Sequence, residues 1–191
     1  MTRAFDPGRP VPAALLDDLV DLASRAPSAG KAQGWHLVVL EGADTARFWD
    51  VTLPPERRSG FAWPGLLEAP VIALPLADPA AYVRRYGEPD KAASGLGRSA
   101  AAWPVPYWTV DAAFAVMTLL LAAEERGLGS LFFGVFQGEE ELRATLGLPS
   151  HLELLGAIAL GWPADDGPGR PGLSAGRRRR APGEIIHRGG W

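Results

Sequence analysis

The sequence predicts an α+β fold, an α/β sandwich in which helices cover a central sheet. Three observations predict it. Segments with helical apolar spacing alternate with short apolar, partly β-branched runs, in the order αβαβα-loop-αβαβ-tail. One segment, Val110 to Gly127, is apolar nearly all round and suits a core helix. The chain has 191 residues and 47% hydrophobic content, enough for one sizeable core, and shows no internal repeat. Residues 1–191 therefore form a single domain, with 164–191 as an extended tail.

Each element has a local reason. Pro12 can open a helix, and Leu15, Leu16, Leu19, Val20, Leu22 and Ala23 mark its apolar face. It stops near Arg25, because Pro27 disfavours helical geometry just before it. Trp35 to Gly42 reads as a strand and Ala43 to Val51 as a modest helix. The Pro- and Gly-broken "LPPERRSGFAWPG" reads as an exposed excursion. Ala69 to Asp78 is a second strand, with Pro75 placing its end at an edge. "PAAYVRRYG" is a helix with Asp78 as N-cap. Glu88 to Trp108 has no clear pattern, and long loops in compact domains are often functional. After the core helix, Gly127 is a natural C-terminal cap. Ser130 to Phe136 is extended and broken by Gly134, "EEELRATLG" is a helix, and "LELLGAIALGWP" is a strand. The tail from Ala164 is polar and carries Arg177 to Arg180. Within it, Glu184 to His187 is expected as a short strand at a sheet edge, its own or a partner's.

Composition excludes several functions. Net charge is −3, so no global attraction to nucleic acid or anionic membrane is expected. There is no cysteine, which removes disulfides, thiolate nucleophiles and Cys-bound metals, and fits a cytoplasmic protein. The N-terminus has no apolar signal region, and the apolar run Ala112 to Ala123 is too short to span a bilayer.

The stretch "RAPSAGKAQGW", Arg25 to Trp35, contains a Gly-Lys pair but is not a Walker A loop. Arg25 stands where the first Gly belongs, Ala32 where Ser or Thr belongs, and the loop follows a helix. Gly95 to Ala100 loosely matches a dinucleotide fingerprint, yet no strand precedes it and no acid stands about 20 residues later. His36, His151 and His187 make no metal spacing, and no GxSxG elbow exists. Asp17-Asp18 and Glu139 to Glu141 read as solvated helix charges. With no nucleophile or acid–base pair of its own, an enzyme of this kind would need a cofactor to carry its chemistry.

Several segments, in order, resemble the FMN-dependent nitroreductase superfamily. "TRAFDPGRPVP" resembles its opening R-S-x-R-x-F segment. "RAPSAGKAQGW" resembles the flavin-site stretch aPS-x-x-N-x-Q-P-W. "YWTVDAAFAVMTLLLAAEERGLGS" resembles the central helix D-x-x-x-A-x-x-N-x-x-L-x-A-x-x-x-G-L-G. "FFGVFQGEEELRATLGLP", "AIALGWP" and "RRRRAPGEIIH" resemble the following strand–turn–helix, the i-x-x-G-Y-P strand and the closing K-x-R-x-P-x-x-E. Together they cover nearly the whole chain.

The resemblance implies a central mixed sheet flanked by helices. It also implies a homodimer with FMN at the subunit interface and a C-terminal extension that reaches the partner. It implies FMN contacts from Arg3 near the flavin pyrimidine and from Pro27, Ser28, Ala29 and Gln33 in the loop. Phe133 and Gly134 would lie where a backbone N–H approaches flavin N5, and Arg178 and Arg180 at the phosphate. On composition alone Arg177 to Arg180 is a solvated basic patch; Pro182 and Glu184 reverse that reading. Lys31 replaces the loop's Asn, and its role stays open between FMN, a substrate anion and water; Gly34 replaces the Pro before Trp35. The first Arg of the opening segment has no counterpart, because Met1 stands at the motif's Ser. Either the natural N-terminus is longer, or the phosphate site leans more on the tail arginines. Trp103, Tyr107 and Trp108 are candidates for lining a substrate channel, or for core packing.

The implied activity is NAD(P)H-dependent reduction of a nitroaromatic, quinone or similar electron-poor acceptor by a ping-pong cycle. The alternatives are a specialised flavin-dependent oxidase of a biosynthetic intermediate, a non-catalytic flavin-binding protein and a basic-tailed interaction protein. No metal, nucleic acid or membrane is expected.

Overall fold

Four strands form the body of one antiparallel sheet in the order β1 (Trp35–Glu41), β2 (Val71–Ala77), β5 (Ala157–Gly161), β3 (Gly129–Phe133), in a computed structural model that describes residues 1–165 and 169–191. A short β4 (Glu153–Leu154) pairs the end of β2. The helices are α1 (Ala13–Ser24), α2 (Ala46–Thr52), α3 (Pro55–Arg58), α4 (Pro79–Tyr86), α5 (Tyr107–Glu125) and α6 (Glu139–Leu146). The sandwich is the one the sequence predicts. The sheet differs in one respect: every strand pairing is antiparallel among the described residues, whereas the resemblance implies a mixed sheet. The chain leaves β1 at Glu41 and re-enters opposite it at Val71; it leaves β3 at Phe133 and re-enters opposite at Ala157. Each connection returns to the end of the sheet it left, so neither makes the crossover a parallel pair needs.

The sheet is buried on both faces. Every residue of β2 is buried, as its unbroken apolar run requires. Val71 and Ala73, with Ile158 and Leu160 of β5, meet α1 and α5 through Leu19, Ala115 and Leu119. Their alternates Ile72 and Leu74, with Ala157 and Ala159, meet Phe48, Trp49 and Leu142 on α2 and α6. This is the period-two alternation of a strand read on two covered faces.

Pro75 does not lie at an edge. It pairs with Leu37 inside a central strand. Its carbonyl accepts from Leu155 N at 3.0 Å, so its nitrogen faces the same side, where β5 has ended and β4 begins. The missing N–H falls at that interruption, which is why proline is tolerated there.

Helix α5 begins earlier than predicted and runs 19 residues. It is long and apolar enough to cross a membrane by length and composition, unlike the shorter run read from the sequence. Here it carries a buried aspartate, Asp111, and packs one face on α1 and the sheet. Its opposite face leaves Phe114, Met117 and Leu121 exposed, so it is not buried on most sides. Gly127 closes it as predicted, with Leu128 N donating to Ala123 O and Gly127 N to Glu124 O.

The unpatterned segment before α5 folds as three single 3₁₀ turns, Ala92–Ser94, Leu96–Arg98 and Ala100–Ala102. Gly97 is there for packing: a Cβ on it would lie 2.4 Å from the Gly87 nitrogen. The "GLG" run is therefore a backbone contact with the end of α4 rather than a dinucleotide turn. The tail also departs from expectation. Pro182–Glu184 form a 3₁₀ turn, and Ile185 and Ile186 are exposed, so Glu184 to His187 add no strand to their own sheet. The tail's residues 166–168 lie outside the described residues.

Replacing the fully enclosed Leu119 by alanine is expected to cost about 2–5 kcal/mol of unfolding free energy. Urea denaturation checks this as a lower midpoint at unchanged slope.

Candidate functional site

A cavity of about 480 Å³ opens beside the end of β3, a size typical of small-molecule sites. Its wall is aromatic. Trp49 stacks parallel to Phe133 with ring centroids 5.9 Å apart, and Phe48 meets both edge-on. Phe61 and Trp63, from the excursion read as exposed, form a second T-shaped pair on the wall. Arg3 lies over Trp63 at 5.6 Å from the ring centroid. Arg57 on α3 reaches the rim and donates to the Gln137 side-chain oxygen. Among the described residues no acidic side chain lines the cavity. The buried indole N–H groups of Trp49 and Trp63 have no acceptor among the described residues.

Three predicted residues, Arg3, Phe133 and Gly134, come together here. Gly134 ends β3, and a Cβ on it would meet the Phe136 ring at 2.6 Å. Phe136 itself is 93% exposed, so the ring over Gly134 is held by little else. Any side chain at position 134 would displace that ring or block a ligand from the backbone.

The loop Pro27–Gln33 lies apart from the cavity within one chain and lines a separate, narrow depression. Its backbone takes left-handed values at Gly30, Lys31 and Gln33, with φ of 60°, 57° and 51°. Two of these are not glycine, and such positions persist where surrounding contacts over-determine them. Those contacts are visible. Ala29 N donates to Asp111 Oδ2 at 2.7 Å, and Gln33 N donates to Ser28 Oγ at 3.2 Å. Arg85 Nε donates to Gly30 O at 2.8 Å. Asp111 is buried on α5 and also accepts from the Tyr82 hydroxyl at 2.8 Å. Burial raises the Tyr82 phenol above its ordinary value, and the Asp111 bond raises it further.

Arg85 is fixed in turn by a two-pronged pair to Asp90, at 2.7 Å on each oxygen. The Arg85 guanidinium holds the Asp90 carboxyl below the usual range. A depressed carboxylate contributes above its unfolded pKa and is lost as pH falls through its folded one. The Arg85 hold on Gly30 therefore loosens in acid.

The remaining predicted residues lie elsewhere. Trp103 and Trp108 are buried in an aromatic cluster with Tyr82 and do not border this cavity. Their indole N–H groups are satisfied, Trp103 by Leu96 O at 3.0 Å and Trp108 by Glu153 Oε2 at 2.9 Å. They are core because these partners let Trp bury without an orphaned donor. Tyr107 stays exposed at the start of α5, outside the cavity. Lys31 is exposed on the loop. Arg178 and Arg180 lie in the exposed tail, where both bind Glu184 and neither reaches the cavity. Glu184 lies below its ordinary pKa through Arg178 and the Ala181 N–H.

Sequence patterns gave no sign of Arg57, Trp49 and Trp63, whose segments carried no motif, and Gln137 stood in the strand–turn–helix segment without a task. It quoted Asp111 within the central-helix pattern without giving it a task; a charged residue in an apolar helix was the available signal. Among the described residues no cluster of three His, Cys, Asp or Glu side chains is placed to hold a metal.

The model of the Nitroreductase family matches residues 1–162. The chain belongs to the nitroreductase family. A Thermus thermophilus protein named NADH dehydrogenase is 31% identical over 176 residues, spanning 83% of this chain and 80% of that one. A Nocardioides sp. 4-nitrobenzoate reductase is 30% identical, spanning 80% of this chain and 72% of its own. The fold matches a structure from Exiguobacterium sibiricum, assigned as a nitroreductase and solved in complex with FMN. That match has a TM-score of 0.72 at 17% identity, over 97% of this chain and 91% of that one. Nitroreductase-family membership makes the chain an oxidoreductase.

Asp111→Ala would leave Tyr82 O–H and Ala29 N–H without their acceptor, each at a cost of about 1–3 kcal/mol. The Ala29 amide is expected to lose hydrogen-exchange protection in Asp111→Ala and to retain most of it in Asp111→Asn, whose carbonyl can still accept.

Proposed function

We propose that this nitroreductase is an FMN-dependent oxidoreductase of the reductase type. NAD(P)H serves as electron donor, and a nitroaromatic, quinone or similar electron-poor molecule as acceptor, in a ping-pong cycle. The observation that carries the reading is the convergence of Arg3, Phe133 and Gly134 on one aromatic-walled cavity without acidic side chains. Its residues fit the group. Flat aromatic walls suit a flat ring system, and a guanidinium and surplus N–H donors suit its ring oxygens and nitrogens. Bound FMN supplies two-electron, hydride-type chemistry that the side chains lack.

The protein's own residues bind, orient and tune. Arg3 offers positive charge in an apolar setting, where it favours an anionic reduced ring. The aromatic wall excludes water. Gly134 leaves its backbone open to a ligand once the exposed Phe136 ring turns aside. Arg178 and Arg180 hold the phosphate, exchanging their bonds to Glu184 for stronger anionic ones. Lys31, on the clamped loop, contacts FMN or a substrate anion.

In this reading two chains complete each site. The loop 27–33 and the cavity are apart within one chain, so a twofold partner supplies the loop. The exposed Phe114, Met117 and Leu121 of α5 are the apolar face such a dimer would bury. Ile185 and Ile186 let Glu184 to His187 reach the partner as an added strand. A cysteine-free chain of this kind would work in the cytoplasm.

The purified protein is expected to be yellow, to release FMN on denaturation and to bleach under NADH or NADPH without oxygen. Arg178→Ala with Arg180→Ala is expected to lose its flavin while remaining folded. A colourless protein that ignores added FMN overturns the flavin reading, and normal flavin content in the double variant overturns the phosphate assignment.

Phe114→Asp with Leu121→Asp is expected to turn a dimer into a monomer by light scattering, with the core intact by circular dichroism. A wild-type monomer would remove the shared-site reading.

A further inference from the structure

Arg57 is a cavity side-chain cation that the flavin reading does not use. It stands on α3, whose other charged side chains do not line the cavity, and donates to Gln137 on the loop after Gly134. Arg3 is separate from it, over Trp63. Neither guanidinium has a carboxylate partner among the described residues.

The cavity's side-chain hydrogen bonding is one-sided. Its side-chain donors include the two guanidinium groups and the two unpaired indoles of Trp49 and Trp63. Its side-chain oxygens are two: Gln137 Oε1 accepts from Arg57, and the Thr52 hydroxyl spends its hydrogen on Phe48 O at 2.9 Å. With no acid in the lining, the wall carries positive charge and spare donors against aromatic rings. The occupant it complements is flat, aromatic and anionic. A flavin ring pairs with Arg3 through its pyrimidine edge, and its phosphate is assigned to the tail. The second charge at the rim then calls for a second anionic group.

We propose that Arg57 is a specificity-determining residue that binds the carboxylate of an aromatic carboxylic acid acceptor. This rests on the flavin reading of the same cavity. The planar fork of Arg57 matches a carboxylate through two parallel N–H donors, and Gln137 pre-orients it from one side. The aromatic wall receives the ring of the same molecule. The carboxylate is not altered; it fixes which end of the acceptor enters first.

The test uses the protein as purified. Benzoate, which carries the carboxylate but no reducible group, is titrated calorimetrically into wild type, Arg57→Ala and Arg57→Lys, with benzamide as the neutral isostere. Loss of a charged hydrogen-bonding partner is expected to weaken benzoate about tenfold or more in Arg57→Ala, with benzamide nearly unchanged. Arg57→Lys, which keeps the charge but loses the fork, falls between. The KM for 4-nitrobenzoate rises in parallel in Arg57→Ala, while that for 4-nitrobenzamide does not. Flavin content and the rate of bleaching by NAD(P)H stay at wild-type levels. Equal weakening of benzoate and benzamide, unchanged benzoate affinity, or loss of flavin from Arg57→Ala overturns the proposal. A colourless wild type that still binds benzoate through Arg57 defeats the flavin reading and leaves the carboxylate site standing.

Discussion

The buried carboxylate of Asp111 is the constraint on which the rest of the arrangement turns. It lies on the most apolar helix of the chain and makes no ion pair among the described residues. Burying such a group costs several kcal/mol unless hydrogen bonds to it are good. Two short ones answer that cost, from the Tyr82 hydroxyl and the Ala29 amide. Each ties a different element to α5. Tyr82 brings α4 and the aromatic cluster of Trp103 and Trp108; Ala29 brings the loop. The rotation of α5 is thereby fixed, and with it which apolar face meets α1 and which is left outside.

That rotation explains the division of labour on α5. Ala115, Leu119 and Ala123 turn inward with Asp111, so small residues let α1 and the sheet approach closely. Phe114, Met117 and Leu121 turn outward by the same geometry. An apolar helix with one buried acid thus serves two surfaces at once. The loop is held to the same helix on one side and to Arg85 on the other. Its left-handed Lys31 and Gln33 are stable because Asp111 and Arg85 take the backbone groups beside them.

Much of this was legible in the sequence. Strand β2 announced itself by an unbroken apolar run, α1 by its spacing, and the ends of α5 and α6 by glycine. What failed were features decided by distant contacts. Pro75 reads as an edge signal, and only the gap between β5 and β4 makes it acceptable in a central strand. The burial of Trp103 and Trp108 likewise depends on distant partners, Leu96 O and Glu153, which satisfy their indoles. Of the residues singled out by motif order, Arg3, Phe133 and Gly134 line the cavity. Trp49, Trp63 and Arg57 were not singled out, because the α2–α3 excursion has Pro and Gly breaks that signal exposure rather than a wall. Pattern reports local backbone preference; it does not report which loop closes over which strand end.

Charge illustrates the same limit. The chain as a whole is slightly acidic, which argued against a global attraction to nucleic acid or anionic membrane. The cavity nonetheless has cations and, among the described residues, no acids in its lining. At physiological ionic strength a charge is felt over roughly 8 Å, so a ligand inside the cavity meets Arg3 and Arg57 and little of the distant acidic helices. Low-dielectric aromatic walls strengthen that local field further. Net charge governs encounter and solubility, whereas selection of a bound anion is set by the few groups that face it. Here those groups come from the N-terminal strand-like segment and from a four-residue helix in an excursion. Neither is part of the rigid sheet, but both are fastened to it, Arg3 beside the Phe5–Pro163 bridge and Arg57 through Gln137 beyond β3.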